Sequence, residues 1–190
     1  AGEYVGGFWS LLNPYSLVMG VTSLVLFTLH GAIFLALKSD GEVRERSAGV
    51  SAALAVAAAV AMAIAMIWTY TLDNAGFVPG LLPILAIVLL GVVIWLTRSA
   101  MFGWAFIGTG LTIVAVVAAI FIGMYPNVMT STIDPDYSLT VFNASSTTLT
   151  LQIMSIVALI FVPMVLVYQS WSYWVFRKRV GPRDVTTSTH

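Results

Sequence analysis

His30 is the residue of this chain that could do chemistry at membrane depth. It lies in a long apolar segment, and the other histidine, His190, is the last residue of the sequence. An ionisable group inside a membrane is a functional candidate by default, so His30 could relay a proton or contact a quinone. A haem held by two histidines cannot be built from this chain alone, because only one histidine is expected inside the membrane.

Packing is the second interpretation of His30, and the sequence favours it. Ser16, Ser23 and His30 follow each other at seven-residue spacing and share one stripe of a helix. Polar residues on a membrane helix are expected to face protein, since lipid offers no hydrogen-bond partner. No Asp, Glu, Lys or Arg lies in the apolar segments to continue a relay. We therefore expect a neutral, hydrogen-bonded His30, with a proton or quinone contact as the weaker alternative.

Other residues with metal-binding side chains have a simpler explanation. Asp134 and Asp136 flank Pro135, which is typical of a solvated turn and also compatible with a metal site. Met side chains adapt to irregular cores, so we interpret these as core-filling residues rather than ligands. They are Met62, Met66, Met124, Met129 and Met154. The sequence predicts no catalytic residue and no metal ligand.

Composition indicates the class of protein that must position these residues. Hydrophobic residues make up 59% of the 190 residues and charged residues only 8%. Soluble domains carry roughly 25% charged residues, so this chain is expected to be an integral membrane protein. The absence of cysteine excludes disulfides and thiolate metal sites within the sequence, and a net charge of zero does not indicate nucleic acid. The start at Ala1, without an initiator Met, suggests a fragment of a longer polypeptide.

Five apolar segments predict an all-α fold, a four-helix bundle plus one further helix, in a single transmembrane domain over residues 1–190. Segments of about 20 apolar residues are long enough to span a bilayer. The predicted helices cover 14–37, 50–72, 79–97, 102–124 and 149–176, with a charged loop at 38–46 and a loop at 125–148. The alternation around Tyr137 to Val141 predicts a short extended piece, and the apolar side chains of the 126–149 segment predict that it folds over the outer face.

Local signals refine these helices. Asn13 and Pro14 are expected to begin the first helix, while Asn143-Ala-Ser145 resembles a glycosylation acceptor but is expected to cap or lead into the fifth. Small residues let membrane helices approach closely, which is one explanation for the ladder of Ala55, Ala59 and Ala63; a genomic preference for alanine codons is the other. Close packing is also expected at Gly103, Gly108 and Gly110.

The basic residues predict the orientation. In the five-helix arrangement all eight fall on one side, namely Lys38, Arg44, Arg46, Arg98, Arg177, Lys178, Arg179 and Arg183. The other side holds Glu3, Asp73, Asp134 and Asp136 and no basic residue. Because Lys and Arg concentrate in cytoplasmic loops, the amino end is predicted outside and the carboxy end in the cytoplasm.

The carboxy-terminal third carries a family pattern. It reads Pro-x-Val-Met-x-Ser from Pro126, Ser-Leu-Thr-x-Phe-Asn-Ala-Ser-Ser from Ser138, Leu-Thr-Leu-x-x-Met from Leu149, and Val-Pro-(x)4-Tyr-x-x-Trp-x-Tyr-Trp from Val162. These patterns resemble the end of subunit II of cytochrome bd-type quinol oxidases. Leu12-Asn13-Pro14 and His30-Gly31-Ala32 resemble the fifth membrane helix of that subunit. The resemblance covers about half of a typical member, which implies that four amino-terminal helices are missing from this sequence.

The resemblance implies a function. The chain would belong to a quinol:oxygen oxidoreductase of the bacterial cytoplasmic (inner) membrane and aerobic respiratory chain. Subunit I would hold haem b and haem d, oxidise quinol and reduce oxygen to water, while this chain would bind no haem and act as its scaffold. The acidic residues of the family's proton path would lie in the missing half. Implied partners are subunit I, the amino-terminal half of the same subunit, a small accessory subunit, membrane lipid and quinone, and no nucleic acid.

Two other functions remain open from the residues alone. Half of a membrane transporter would need broken helices around a midplane site, for which Pro163 and the Pro79/Pro83 pair are weak signals. A structural membrane assembly protein without an enzymatic partner would also account for spans that lack charge.

Overall fold

The structure, a computed structural model, describes residue 7 and residues 12–72, 81–131 and 134–178. Its helices are α1 (Pro14–Lys38), α2 (Glu42–Leu72), α3 (Leu81–Arg98), α4 (Phe102–Met124) and α5 (Thr148–Val175). Strands β1 (Asn127–Met129) and β2 (Leu139–Thr140) pair antiparallel, with a short 3-10 helix at Pro135–Tyr137 between them. All five helices are long and apolar enough to cross a membrane. The predicted all-α, multi-pass membrane fold is therefore confirmed.

The observed helix ends agree with the prediction except at the start of α2. This helix begins at Glu42, whereas the sequence predicted a charged loop up to Arg46 and a helix from Val50. Glu42 and Glu45 lie in the first turn, where carboxylates are favourable beside the positive end of the helix dipole. Glu42 also forms an ion pair with Arg46 one turn later. The predicted start of α3 at Pro79 lies outside the described residues.

The caps of the first and last helices show one correct prediction and one that holds in part. Asn13 caps α1, since its side-chain oxygen accepts a hydrogen bond from the backbone N–H of Ser16 at 2.8 Å. Thr147, not Asn143, is the N-cap of α5. The amide of Asn143 is used within the preceding loop instead, where its oxygen accepts from the Thr140 N–H at 2.7 Å. The segment from Asn143 to Ser145 thus leads into α5, as one half of the expectation has it, but does not cap it.

Helices α1 to α4 form one compact unit, which we call the four-helix unit. α1 packs against α2 and α4, and α3 packs against α4 and α2, so the four helices close into a ring. Three-residue connections at 39–41 and 99–101 make each joined pair antiparallel. The fully buried side chains include Leu29, Ile33, Leu90 and Val93. The predicted four-helix bundle is present, and the predicted single domain over 1–190 stays a prediction.

Small residues determine where these helices approach most closely. Ala55 is fully buried in the core and Ala59 packs against it, so this part of the alanine ladder is a contact surface of α2. A side chain added at Gly108 would place its Cβ 2.9 Å from Cγ2 of Val93, which fixes the close approach of α4 to α3. Gly103 has open space at the same position. Close packing was thus predicted correctly for Gly108 and wrongly for Gly103.

The segment from Tyr125 onward forms a second compact unit. The extended piece expected near Tyr137–Val141 is present as β2, and the hydroxyl of the buried Ser138 accepts a hydrogen bond from the Ser131 N–H at 3.1 Å. The Val141 N–H donates to the carbonyl of Pro126 at 2.9 Å, which closes the loop on itself. That the loop folds over the outer face stays a prediction.

Helix α5 has no buried residue along its 28 residues, and Pro163 lies inside it. Its large apolar side chains are exposed on all sides, as at Leu159 (76%) and Val167 (71%). Met154 on α5 and Met129 on β1 are exposed as well, so the core-filling interpretation was wrong for these two. Met62 does pack against the core of the four-helix unit. Within its own compact unit α5 therefore has no neighbour that buries it.

Candidate functional site

His30 forms a side-chain hydrogen bond across the four-helix unit. Its Nδ1 lies 2.7 Å from Oγ1 of Thr109, which is fully buried on α4. The two residues are 79 positions apart in sequence, so the bond joins α1 directly to α4. The expectation of a hydrogen-bonded His30 is met by this geometry, and the role of the residue stays a proposal.

The backbone of α4 determines which atom donates in this bond. Oγ1 of Thr109 lies 3.1 Å from the carbonyl oxygen of Ala105 and 3.0 Å from that of Phe106. A carbonyl oxygen only accepts, so the Thr109 hydroxyl can donate to the α4 backbone and accept from Nδ1 of His30. In that arrangement the neutral imidazole carries its proton on Nδ1. The Nε2 atom is then an acceptor.

Aromatic side chains enclose one face of the imidazole. The ring of His30 stacks on Phe106 with a centroid distance of 4.4 Å and an interplanar angle of 23°. Phe34, one turn further along α1, tilts against the same Phe106 ring at 5.8 Å. Gly110 leaves room at the ring edge, since a Cβ there would lie 4.0 Å from Cε1 of His30. The ring is thus held by a hydrogen bond at one edge and by stacking on one face.

The remaining nitrogen of His30 lies at the surface of the chain. Among the described residues no hydrogen bond to Nε2 is present, and no fully enclosed polar side-chain atom lacks a partner. Nε2 is therefore accessible from outside the four-helix unit. The contacts of the ring hold Nε2 in a fixed direction, where it can accept a hydrogen bond. The donor can be a side chain of a neighbouring helix, a quinol hydroxyl or water.

The rest of the predicted polar stripe on α1 differs from expectation. Ser23 is exposed, and its hydroxyl donates to the carbonyl of Met19 on its own helix at 2.9 Å. Phe27 is 57% exposed. The face of α1 that is buried in the chain carries instead Thr22, Leu26, Leu29, Ala32, Ile33 and Ala36. Of Ser23, Phe27 and His30 in this stripe, His30 is the residue that contacts the interior of the four-helix unit.

The two aspartates form a turn. The backbone N–H of Asp136 donates to Oδ1 of Asp134 at 3.0 Å, and that of Tyr137 donates to the carbonyl of Asp134. Both carboxylates are exposed. The described ranges contain no group of three or more His, Cys, Asp or Glu side chains arranged to hold a metal ion. The turn interpretation of Asp134–Asp136 is confirmed.

The sequence did not predict a second side-chain contact between helices. The hydroxyl of Tyr15, at the start of α1, lies 3.0 Å from Oγ1 of Thr69 near the end of α2. The Tyr15 ring also meets Trp68 edge-on at a centroid distance of 6.3 Å. The signal that could have indicated it is a polar residue in the first turn of α1 and another in the last turn of α2. These two turns are neighbours because the helices are antiparallel. Together with His30–Thr109 it joins α1 to both of its neighbours.

A haem with two axial side-chain ligands does not fit the described residues. His30 is the one histidine in these ranges, so two axial histidines cannot come from them. We therefore derive no step through a haem bound to this chain.

Comparison with known proteins identifies the family. The profile of cytochrome bd terminal oxidase subunit II matches residues 1–176. The chain is 30% identical to cytochrome bd-I ubiquinol oxidase subunit 2 of Escherichia coli strain K12, over 98% of this chain and 58% of the relative. It is 35% identical to cytochrome bd ubiquinol oxidase subunit 2 of Bacillus subtilis strain 168, over 93% of this chain and 53% of the relative.

A third relative, a probable cytochrome oxidase subunit 2 of Haemophilus influenzae, is 30% identical over 98% of this chain and 58% of its own length. The chain spans little more than half the length of the curated relatives it matches. The family match covers all four helices of the four-helix unit and all of α5. The resemblance inferred from the carboxy-terminal motifs is confirmed, and the chain belongs to the cytochrome bd terminal oxidase subunit II family.

Proposed function

We propose that this chain is part of the non-haem subunit of a membrane-bound cytochrome bd-type quinol:oxygen oxidoreductase. In this proposal it supports a haem-bearing subunit I that oxidises quinol and reduces oxygen to water. The family match over residues 1–176 is the observation that carries the proposal. The relatives named ubiquinol oxidase subunit 2 support the reaction class. The proposed location is the bacterial cytoplasmic membrane.

The distribution of exposed apolar surface supports a scaffold rather than a catalytic role. α5 buries none of its residues, and α1 exposes Leu24 (67%) and Phe27 (57%). The described spans contain no Asp, Glu, Lys or Arg away from their ends. A helix of this kind contributes shape and packing to a neighbour but no charge. We propose subunit I and the remaining half of subunit II as neighbours of this surface, with a small accessory subunit, lipid and quinone as further partners.

The cofactors of the complex are assigned to the partner. Haem b and haem d would be bound by subunit I and would supply the electron transfer and oxygen chemistry. For His30 we propose a packing role at a protein interface, with its Nε2 accepting a hydrogen bond from a neighbouring helix. The Nδ1–Thr109 bond supports this assignment, because it fixes the direction in which Nε2 points. A quinone or proton contact at His30 is the alternative that substitution can test.

The proposed orientation has the amino end outside and the carboxy end in the cytoplasm. The α1–α2 and α3–α4 connections lie at the same end of the four-helix unit, because successive helices run in opposite directions. Four basic residues lie at or next to these connections, namely Lys38, Arg44, Arg46 and Arg98. At the end of α5 the Arg177 guanidinium stacks over the Trp174 ring at 4.6 Å, an aromatic and basic pairing suited to a membrane interface.

The sequence offers a clean test of this orientation because it contains no cysteine. A single cysteine introduced at Ser39 should be protected from an impermeant thiol reagent in intact cells. One introduced at Ser131 should be labelled. Labelling in the reverse pattern would contradict the proposed orientation.

An optical spectrum tests the proposed function. The full-length protein that contains this chain, purified by an affinity tag from its own membranes, should carry subunit I and show haem b and haem d bands. It should also consume oxygen when quinol is supplied. The same protein expressed without subunit I should show no stoichiometric Soret band. A colourless preparation with a full set of partners would contradict the proposal and favour a transporter or a structural assembly protein.

A further inference from the structure

A shallow, open groove lies between α1 and α2, lined mostly by exposed residues. Its volume is about 450 Å³. Thr28, Gly31 and Leu35 line it from α1, and Ser47 and Val50 line it from α2. Gly31 keeps it open, since nothing lies within 4 Å of the position where a Cβ would be.

The groove is apolar along its length and polar at one end only. The Thr28 hydroxyl donates to the carbonyl of Leu24 at 2.6 Å, so this residue offers mainly its methyl group. Arg46 is the one charged residue in the lining, and it lies in the first turns of α2. The hydroxyl of Ser47 beside it makes no hydrogen bond with a described residue. A cation and a free hydroxyl are thus placed together at the end of an apolar channel.

The depth of the groove matches one leaflet of a bilayer. Thr28 lies ten residues before the end of α1 at Lys38, which corresponds to about 15 Å along a helix. The hydrocarbon core of a bilayer is about 30 Å thick, so with Lys38 at the headgroup level, where basic residues are favoured, the groove would end near the midplane. A transmembrane helix would need a groove of the full depth. A lipid acyl chain needs only half of it.

We propose that this groove binds an anionic phospholipid, with one acyl chain between α1 and α2 and the phosphate held by Arg46 and Ser47. Arginine presents several donors in a planar fork that suits phosphate oxygens. The ion pair of Arg46 with Glu42 does not prevent this, because both side chains are largely exposed (79% and 74%) and exposed pairs contribute little. The guanidinium can keep Glu42 on one edge and bind phosphate on the other. This inference is independent of the haem content of the complex.

Native mass spectrometry of the purified membrane assembly containing this chain tests the proposal. The probes are phosphatidylglycerol and phosphatidylcholine with identical acyl chains, and glycerol phosphate as a free headgroup. Wild type should retain one phosphatidylglycerol per copy of this chain that phosphatidylcholine and glycerol phosphate do not replace. Arg46→Gln should lower the retained fraction about fivefold, the effect of removing one basic residue at a lipid headgroup. Gly31→Leu should abolish retention by filling the groove.

Matched variants separate this site from general effects. Arg98→Gln removes a basic residue from the same end of the four-helix unit, outside the groove, and should retain the lipid. Gly20→Leu adds the same side chain to α1 at another open position and should also retain it. Glu42→Gln releases Arg46 from its ion pair and should increase retention.

Four outcomes would overturn the proposal. Equal retention of phosphatidylcholine would mean that Arg46 does not select an anionic headgroup. Retention of glycerol phosphate alone would mean that the site binds phosphate and no acyl chain. Unchanged lipid in both Arg46→Gln and Gly31→Leu would place the lipid elsewhere. A crosslink from Ser47→Cys to another polypeptide would identify the occupant as protein.

Discussion

The four-helix unit and α5 are equally apolar, but only the first buries its side chains within the chain. The most apolar window of α4 has a mean hydropathy of 2.5 and that of α5 has 2.4. In α4 22% of that window is buried, and in α5 none of it is. Hydropathy therefore predicts that both helices leave water, while it does not distinguish contact with this chain from contact with lipid or another protein.

The content of small residues explains the difference. α4 brings Gly108, Thr109 and Thr112 into the core, and the two threonines satisfy their hydroxyls on the backbone of their own helix. α5 has no glycine, and between Ser155 and Ser170 its one small residue is Ala158. Small residues let helix backbones approach, whereas large side chains on all faces hold neighbours apart. We therefore expect substitutions to act on folding in the four-helix unit and on assembly in α5.

The largest effect is expected at Gly108. Gly108→Leu would force a side chain into the space that Val93 already occupies at 2.9 Å, and overpacking of this kind typically costs about 1–3 kcal/mol or more. We expect loss of folded protein, measured as the yield and thermal stability of the purified complex. Gly103→Leu, on the same helix with open space at its Cβ, is the matched control and should be tolerated.

A rescue sharpens this test. Gly108→Ala should be less harmful when it is combined with Val93→Ala, because the shortened partner removes the close contact. Equal stability of Gly108→Leu and Gly103→Leu would mean that α3 and α4 do not pack closely at this point.

The second largest effect is expected in α5, on association rather than stability. Tryptophan placed singly at each position from Met154 to Val165 should lower the amount of co-purified partner several-fold along one helical stripe. Positions on the opposite side should have no effect, since lipid accommodates a larger side chain. Haem absorbance per copy of this chain gives the measurement. A flat profile without helical periodicity would show that α5 meets lipid all round.

The sequence predicted the number of helices correctly because apolar length alone determines which segments leave water. It missed the first turns of α2, since Glu42 to Arg46 are helical but polar and hydropathy does not register them. The His30–Thr109 contact could not be predicted, because it depends on the packing of α1 against α4. Gly108 and Gly103 look alike in sequence and differ only in what faces them. Burial across helices is thus the information that local patterns lack.

An intermediate effect is expected at His30. His30→Gln keeps a donor and an acceptor and should leave assembly and quinol oxidation near normal. His30→Leu removes the bond to Thr109 and should lower stability by about 1 kcal/mol, as should Thr109→Val. A double-mutant cycle between the two positions measures the bond itself. If His30→Gln assembles fully yet abolishes turnover, His30 handles a proton or a quinone and the packing role is wrong.

The smallest effect is expected at the two helix connections. Gly41 and Ala100 both have positive φ, 67° and 56°, in connections of equal length. A left-handed conformation costs a residue with a Cβ about 1–2 kcal/mol, so Gly41→Ala should destabilise the protein by about 1 kcal/mol. Ala100→Gly should be neutral or stabilising by less than about 1 kcal/mol, because glycine also makes the unfolded chain more flexible. Thermal unfolding of both variants tests the pair, and stabilisation by Gly41→Ala would contradict it.

Pro163 gives α5 a direction about its axis that its exposed apolar side chains do not. Proline has no backbone N–H, so the carbonyl of Leu159 loses its usual partner one turn earlier. No described side chain donates to that carbonyl, and in hydrocarbon an unmatched acceptor is unfavourable. The free carbonyl points to one side of the helix only. A donor from a neighbouring protein can meet it at one angle of rotation about the helix axis, which would set the rotational register of α5.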